Sequence, residues 1–208
     1  MENGFYTVVG QAEDLTVIEK SKFICYLKHI ESEDEARQFI GEIKKKNSLA
    51  THNCYAFICD KTGINQKCSD DGEPQGTAGV PMLEVLKNKK LFCTCAVVTR
   101  YFGGIKLGKG GLSRAYSNAV SDCILKSKVV KMVFSDFIDI TADYETYNKV
   151  LNIIGKENIT VISTDFKDDI VIHIVCPIEN TETIIDKISE ASSGKVKIEK
   201  LKRDYYGY

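Results

Sequence analysis

This sequence predicts an α+β protein of two domains, and three observations carry that expectation. Residues 135–208 alternate strand and helix signals in the order β-α-β-β-α-β. Residues 1–134 show a different order of strands and helices and contain no repeat of that unit. Charge divides at the same place. Residues 1–134 hold 19 basic and 15 acidic side chains, a balance of +4, and residues 135–208 hold 9 and 14, a balance of −5. The expected domains are therefore 1–134 and 135–208, and only the first looks suited to anions.

The first domain opens with strand signals over 5–10, 15–20 and 22–30. Ser32 followed by Glu33, Asp34 and Glu35 marks a helix start, because a serine cap and acids in the first turn suit the amino-terminal N–H groups. Ala36, Phe39, Ile40 and Ile43 give that helix one apolar face, and Lys44, Lys45 and Lys46 end it. Another strand is expected over 53–60, then a loop over 70–79, a short helix over 80–88 and an apolar, central strand over 92–99. A glycine-rich loop over 103–111 leads into a helix over 112–126, and 129–134 reads as a last strand.

In the second domain, residues 135–142 alternate as a strand, and 144–157 place Tyr147, Val150, Leu151 and Ile154 at helical spacing. Two β-branched runs, 159–165 and 170–176, flank a Phe166-Lys167-Asp168-Asp169 hairpin turn. A helix over 183–191 and a strand over 195–201 complete the expected ferredoxin-like unit.

At 43% hydrophobic and 27% charged residues, the composition excludes a disordered chain. No secretory leader and no apolar run of the ~20 residues needed for a membrane span is evident. The expectation is a cytoplasmic protein whose eight cysteines stay reduced. They include no C-x-x-C pair, and Cys93 and Cys95 are expected to share one face of an apolar strand. Three scattered histidines offer no metal-ligand pattern. Neither metal nor cofactor is expected.

Two stretches carry the chemical signal. The first, Asp70-Asp71-Gly72-Glu73-Pro74-Gln75-Gly76-Thr77-Ala78-Gly79, is rich in turn residues. The second runs from Thr99 through the glycine loop to Tyr116. From Val85 to Ser121 there are seven basic residues and no acidic one, in a chain with 29 carboxylates. Glycines let backbone approach a ligand, and a helix start offers unpaired N–H groups to anions. The expected anion or nucleic-acid contacts are Arg100, Gly103, Gly104, Lys106, Gly108, Lys109, Gly110 and Arg114, with Tyr101 stacking on a base. Tyr101, Phe102 and Tyr116 are the aromatics interleaved here. His52, Asp70, Asp71, Glu73 and Thr77 are expected either to order the first loop or to form an alternative active site.

Nucleotide hydrolysis of the P-loop type is not expected. Gly103 to Gly108-Lys109 fits G-x-x-x-x-G-K, but Gly110 stands where the magnesium-binding hydroxyl belongs. His52, Cys54 and the carboxylates show no nucleophile–base–orienter spacing either.

The stretches DDGEPQGTAGVPML (70–83) and VVTRYFGGIKLGKGGLSRAY (97–116) resemble the signature of the IMPACT/YigZ family. Lys20-Ser21-Lys22-Phe23-Ile24 and residues 50–56 (ATHNCYA) resemble further family blocks, so the likeness covers most of 15–125. It implies a first domain with the α/β fold of a ribosomal-protein domain, including a left-handed β-α-β crossover. It also implies a ferredoxin-like second domain similar to the last domain of elongation factor G. The implied role lies near translation, because eukaryotic relatives regulate initiation through a ribosome-associated partner. The functional expectation is a translation-associated regulatory binding protein that contacts ribosome or RNA through the basic glycine loop, with a protein partner for the acidic domain. The alternative is an enzyme acting on a phosphorylated or nucleotide substrate in a cleft between the two loops. A pure protein–protein adaptor is the third reading.

Overall fold

The computed structural model describes residues 4–208. They fall into two compact units, Phe5–Lys131 and Met132–Tyr208 with Gly4. The chain runs β1 (Gly4–Val8), β2 (Gln11–Ile18), β3 (Ser21–His29), α1 (Glu33–Lys46), β4 (His52–Ile58), β5 (Gln66–Ser69), α2 (Gly79–Asn88), β6 (Thr94–Tyr101) and α3 (Gly108–Lys126). It continues through β7 (Val129–Ala142), α4 (Tyr144–Lys156), β8 (Thr160–Phe166), β9 (Ile170–Pro177), α5 (Thr181–Ala191) and β10 (Lys197–Gly207). The expected α+β class holds.

In the first unit the sheet order is β2-β3-β6-β4-β5, with every neighbouring pair antiparallel. Because β3 and β4 both pair with β6, α1 connects two parallel strands across it. The central strands are apolar on both faces, and each face has its own helices. Phe23, Cys25, Leu27, Cys54, Ala56, Ala96 and Val98 pack with Met82 and Leu86 of α2 and Leu112, Ala115 and Tyr116 of α3. On the other face, Tyr26, Phe57, Cys95 and Val97 meet Ala36, Phe39, Ile40 and Ile43 of α1. Ser32 caps α1 by accepting from the Glu35 N–H at 3.2 Å, as its sequence predicts.

The second unit orders its strands β10-β7-β9-β8, all antiparallel, which is the ferredoxin-like arrangement of a βαββαβ chain. Ile138, Ile140, Ile170, Ile172 and Ile174 bury against Val150 and Ile154 of α4 and Ile184 and Ile188 of α5. The opposite sheet face carries His173, which donates from Nδ1 to Asp139 at 2.6 Å and faces Asp165 across 3.6 Å.

Five local differences from expectation have physical causes. β5 escaped notice because its four residues lie at an edge with no apolar alternation. β7 is one strand where two were expected, since its pairing with β10 runs unbroken through Phe134↔Tyr205 and Ser135↔Asp204. β10 extends to Gly207, six residues past the expected end, because an irregularity between Lys200 and Lys202 inverts its alternation. α3 begins at Gly108, inside the glycine loop, rather than at 112. Cys93 stands before β6 in the left-handed region (φ 48°), so it shares no strand face with Cys95. All eight cysteines are free thiols. Among the described residues no helix is long and apolar enough to cross a membrane.

The Asp139 and Asp165 carboxylates raise the His173 imidazole above its ordinary value, the hydrogen bond to Asp139 contributing most. A raised folded value means stabilisation that is complete below the ordinary value of about 6.5 and lost as pH rises through the folded value. An NMR titration of the His173 ring is expected to give a midpoint above 6.5, and His173→Gln to lower the thermal midpoint at pH 6 but not at pH 9. A ring midpoint at or below 6.5 contradicts this account.

Candidate functional site

The ends of three adjacent strands meet at one corner of the first unit. In register, Phe23 of β3 and His52 of β4 both lie opposite Arg100 of β6, and all three share the face covered by α2 and α3. The loop after β5 delivers Glu73 to this corner, and α3 delivers Tyr116. Glu73 Oε1 accepts from Arg100 Nη1 at 2.6 Å and from the Tyr116 hydroxyl at 2.8 Å. The ion pair is nearly dry, with side-chain exposures of 6% for Arg100 and 3% for Glu73. Phe23 and Phe102 lie 5.4 and 5.3 Å from the guanidinium, and Arg100 Nε has no partner. Burial, reinforced by Cys54 and Glu73, pushes the Tyr116 phenol up, so it stays a donor to the carboxylate.

His52 donates from Nδ1 to the Asp71 carbonyl at 2.9 Å, which turns Nε2 toward Glu73 Oε2, 3.9 Å away. Cys54, two residues on, donates Sγ to the Asp70 carbonyl. Burial pushes its thiol up to about 12, which leaves no thiolate to act as a nucleophile at neutral pH.

The remaining acids of the first loop are committed to backbone and to Lys44. Asp70 accepts from the N–H groups of Gly76, Ala78 and Gly79 at 2.8–2.9 Å, closing the loop and serving the start of α2. Burial opposes its charge, but those donors outweigh it and hold the carboxyl below the usual carboxylate range. Asp71 accepts from the Asn53 N–H at 2.7 Å and from Lys44 at 2.6 Å. Thr77 donates its hydroxyl to the Pro74 carbonyl at 2.6 Å.

The glycine loop has a different character. A Cβ on Gly103 would lie 2.1 Å from the Lys20 carbonyl carbon, so only glycine lets the loop cross the β2–β3 turn. Gly104 (φ 86°) and Gly108 (φ 70°) occupy the left-handed region, and α3 starts immediately. Leu107 stands at its cap position without a side-chain hydrogen bond, and no acid lies in its first turn. Lys106, Lys109 and Arg114 are exposed, and no carboxylate pairs with them among the described residues. Gly110 lies in that first turn with open space around it.

Two expected contacts sit elsewhere. Arg100 is no surface anion contact, because its charge is buried and satisfied by Glu73. Tyr101 points to the α1 side of the sheet, where its hydroxyl donates to Asn47 at 3.0 Å. Strand alternation forces this, since neighbours of Arg100 must face away from it. The aromatic at the loop is Phe102, 47% exposed, which sequence reasoning counted but did not select.

Between the two loops lies a cavity of about 440 Å³, lined by Thr51, His52, Glu73, Pro74, Arg100, Phe102, Lys106, Leu107, Gly108, Lys109 and Leu112. Apolar groups make its wall, the lysines its rim, and the Arg100–Glu73 pair its floor. Among the described residues no group of three His, Cys, Asp or Glu side chains converges as a metal-binding set.

Comparison with known proteins matches residues 19–124 to the Impact N-terminal domain and residues 140–195 to a domain of unknown function, DUF1949. "IMPACT family member YvyE" of Bacillus subtilis (strain 168) is 40% identical over 205 residues, covering 99% of this chain and 94% of that protein. "IMPACT family member YigZ" of Escherichia coli (strain K12) is 29% identical over 192 residues, covering 90% and 94%. A crystal structure titled as that of a hypothetical protein superposes with a TM-score of 0.60 at 25% identity, covering 97% of this chain and 99% of that one.

Glu73→Gln leaves the Arg100 charge buried without a counter-charge, and urea unfolding is expected to show a loss of about 3–5 kcal/mol. Glu73→Gln combined with Arg100→Met removes both charges and is expected to recover most of that loss. Equal losses in the single and double variants rule out an uncompensated charge as the cause.

Proposed function

The chain belongs to the IMPACT family, and from that premise we propose that it is a translation-associated regulatory binding protein that engages RNA, ribosomal RNA included, through the glycine loop and the start of α3. One observation carries the reading. A 19-residue helix begins without a side-chain cap and with no acid in its first turn, while Lys106, Lys109 and Arg114 stand exposed and unpaired with any carboxylate among the described residues. Helix-start N–H groups and unpaired cations are the chemistry that receives phosphate. The acid-free span from Val85 to Ser121 removes the repulsion that carboxylates would impose on a polyanion. Residues 135–208, with their balance of −5, are poorly suited to the same ligand and better suited to a protein surface.

A second reading, an enzyme acting on a phosphorylated or nucleotide substrate, draws on the cavity that joins Glu73 and Pro74 to Lys106–Lys109. Against it, Asp70 and Asp71 are held by backbone and Lys44, and Glu73 by Arg100 and Tyr116. Among the described residues lining this cavity, His52 alone keeps a ring nitrogen without a hydrogen bond, and one group does not make an acid–base pair.

Ribosome co-sedimentation and single-stranded RNA binding across a salt series test the proposal. With about four phosphates engaged, log K is expected to fall with log salt at a slope of roughly −3. Lys106→Glu combined with Lys109→Glu is expected to weaken binding and to flatten the slope by about 1.5. Absence of association at low salt in the unaltered protein sinks the RNA reading. An unchanged affinity in the double variant removes the glycine loop from it and favours the adaptor.

A further inference from the structure

The cavity beside the glycine loop has two chemically different sides, and neither alone defines its occupant. Its volume of about 440 Å³ lies within the range of small-molecule sites, roughly 300–1,000 Å³. Pro74, Phe102, Leu107 and Leu112 form an apolar wall, while Lys106 and Lys109 stand at the rim beside the uncapped first turn of α3. A bare anion would leave the wall facing water, and an apolar ligand would strand the cations. The floor adds a third element. Arg100 is 95% buried, lines the cavity and has an Nε without any hydrogen-bond partner. Beside it His52, fixed through Nδ1 by the Asp71 carbonyl, keeps Nε2 beyond hydrogen-bond reach of Glu73.

We infer that this cavity takes one nucleoside monophosphate unit, its phosphate on the first-turn N–H groups of α3 with Lys106 and Lys109, and its base on Phe102 and the leucine wall. Phe102 is exposed by 47% and lies against the Arg100 guanidinium, so it presents an aromatic surface already braced from within the protein. The edge of a base directed to the floor meets His52 Nε2, a group able to hydrogen-bond a heterocycle but idle in a purely electrostatic RNA contact. The unit is either a nucleotide unstacked from RNA, in which case the inference rests on the RNA reading, or a free nucleotide of the same chemistry.

Gly110→Asp gives a clean test. A Cβ there meets nothing within 4 Å, and an acid in the first turn of a helix stabilises it, so the variant is expected to fold at least as well as the parent. The same carboxylate repels phosphate. AMP, adenosine and inorganic phosphate are titrated in turn into the full-length protein by calorimetry, followed by a short single-stranded oligoribonucleotide with AMP as competitor. The expected result is AMP binding at least tenfold tighter than either fragment, weakened about tenfold or more by Gly110→Asp and by Phe102→Ala. AMP no tighter than phosphate overturns the inference. So does RNA binding that falls with the Lys106→Glu/Lys109→Glu pair yet ignores Phe102→Ala, an outcome that leaves the RNA reading standing. AMP that displaces the oligonucleotide assigns the site to an RNA nucleotide. AMP binding without RNA affinity sustains the cavity assignment for a free nucleotide and ends the RNA reading instead.

Discussion

The Arg100–Glu73 ion pair is the constraint on which the functional corner depends. Its two charges sit almost wholly out of water, where each alone would cost several kcal/mol. Their mutual attraction and the Tyr116 hydroxyl on the same Glu73 oxygen offset that cost. The geometric consequence matters more than the net energy. Residues 70–79 form a turn-rich loop with few apolar anchors, and Glu73 ties it at once to the last turn of a central strand and to the middle of α3. Because α3 is thereby fixed against β6, the position of its first turn, and of the lysines around it, follows.

The acids of this corner divide into holders and absentees. Asp70 supplies a carboxylate to the start of α2 from nine residues upstream, so that helix needs no cap of its own. Ser32 caps α1 with its hydroxyl, and Asp143 caps α4 with its carboxylate. At α3 nothing arrives: the loop that could have sent Asp70, Asp71 or Glu73 spends all three on backbone, Lys44 and Arg100. The absence of a side-chain cap at α3 thus accompanies one allocation, in which the three acids of residues 70–79 are already engaged.

Much of this was legible in residue order, and the failures share one cause. Periodicity located α1, α4, the central strands and the βαββαβ unit, since each buries a regular apolar stripe. It lost β5 and the end of β10, where burial is slight or a bulge reverses the phase, and it divided β7 because its pairing partner lies some 70 residues away. At the site, composition drew attention to the correct two loops, while residue type could not say which cation is buried. Arg100 and Lys106 look equivalent in a basic stretch. The alternation of β6 sends Arg100 inward beneath α3 and its neighbour Tyr101 to the opposite face, leaving Phe102 as the exposed ring. A strict parity count from Val98 gives that result, but only once the face covered by α2 and α3 is known.

The charge split between the domains completes the physical picture. A uniformly basic protein attracts any polyanion and gains little discrimination from doing so. Here the net charge is −1, so the long-range field gives nucleic acid no general encouragement. Attraction is confined to distances comparable with the Debye length of about 8 Å at physiological salt, near Lys106, Lys109 and Arg114. A contact assembled from so few cations is weak unless something other than charge is recognised. On the proposed reading, the apolar wall beside the loop, with the free Nε2 of His52, is that second component, and selectivity then rests on the cavity rather than on the lysines.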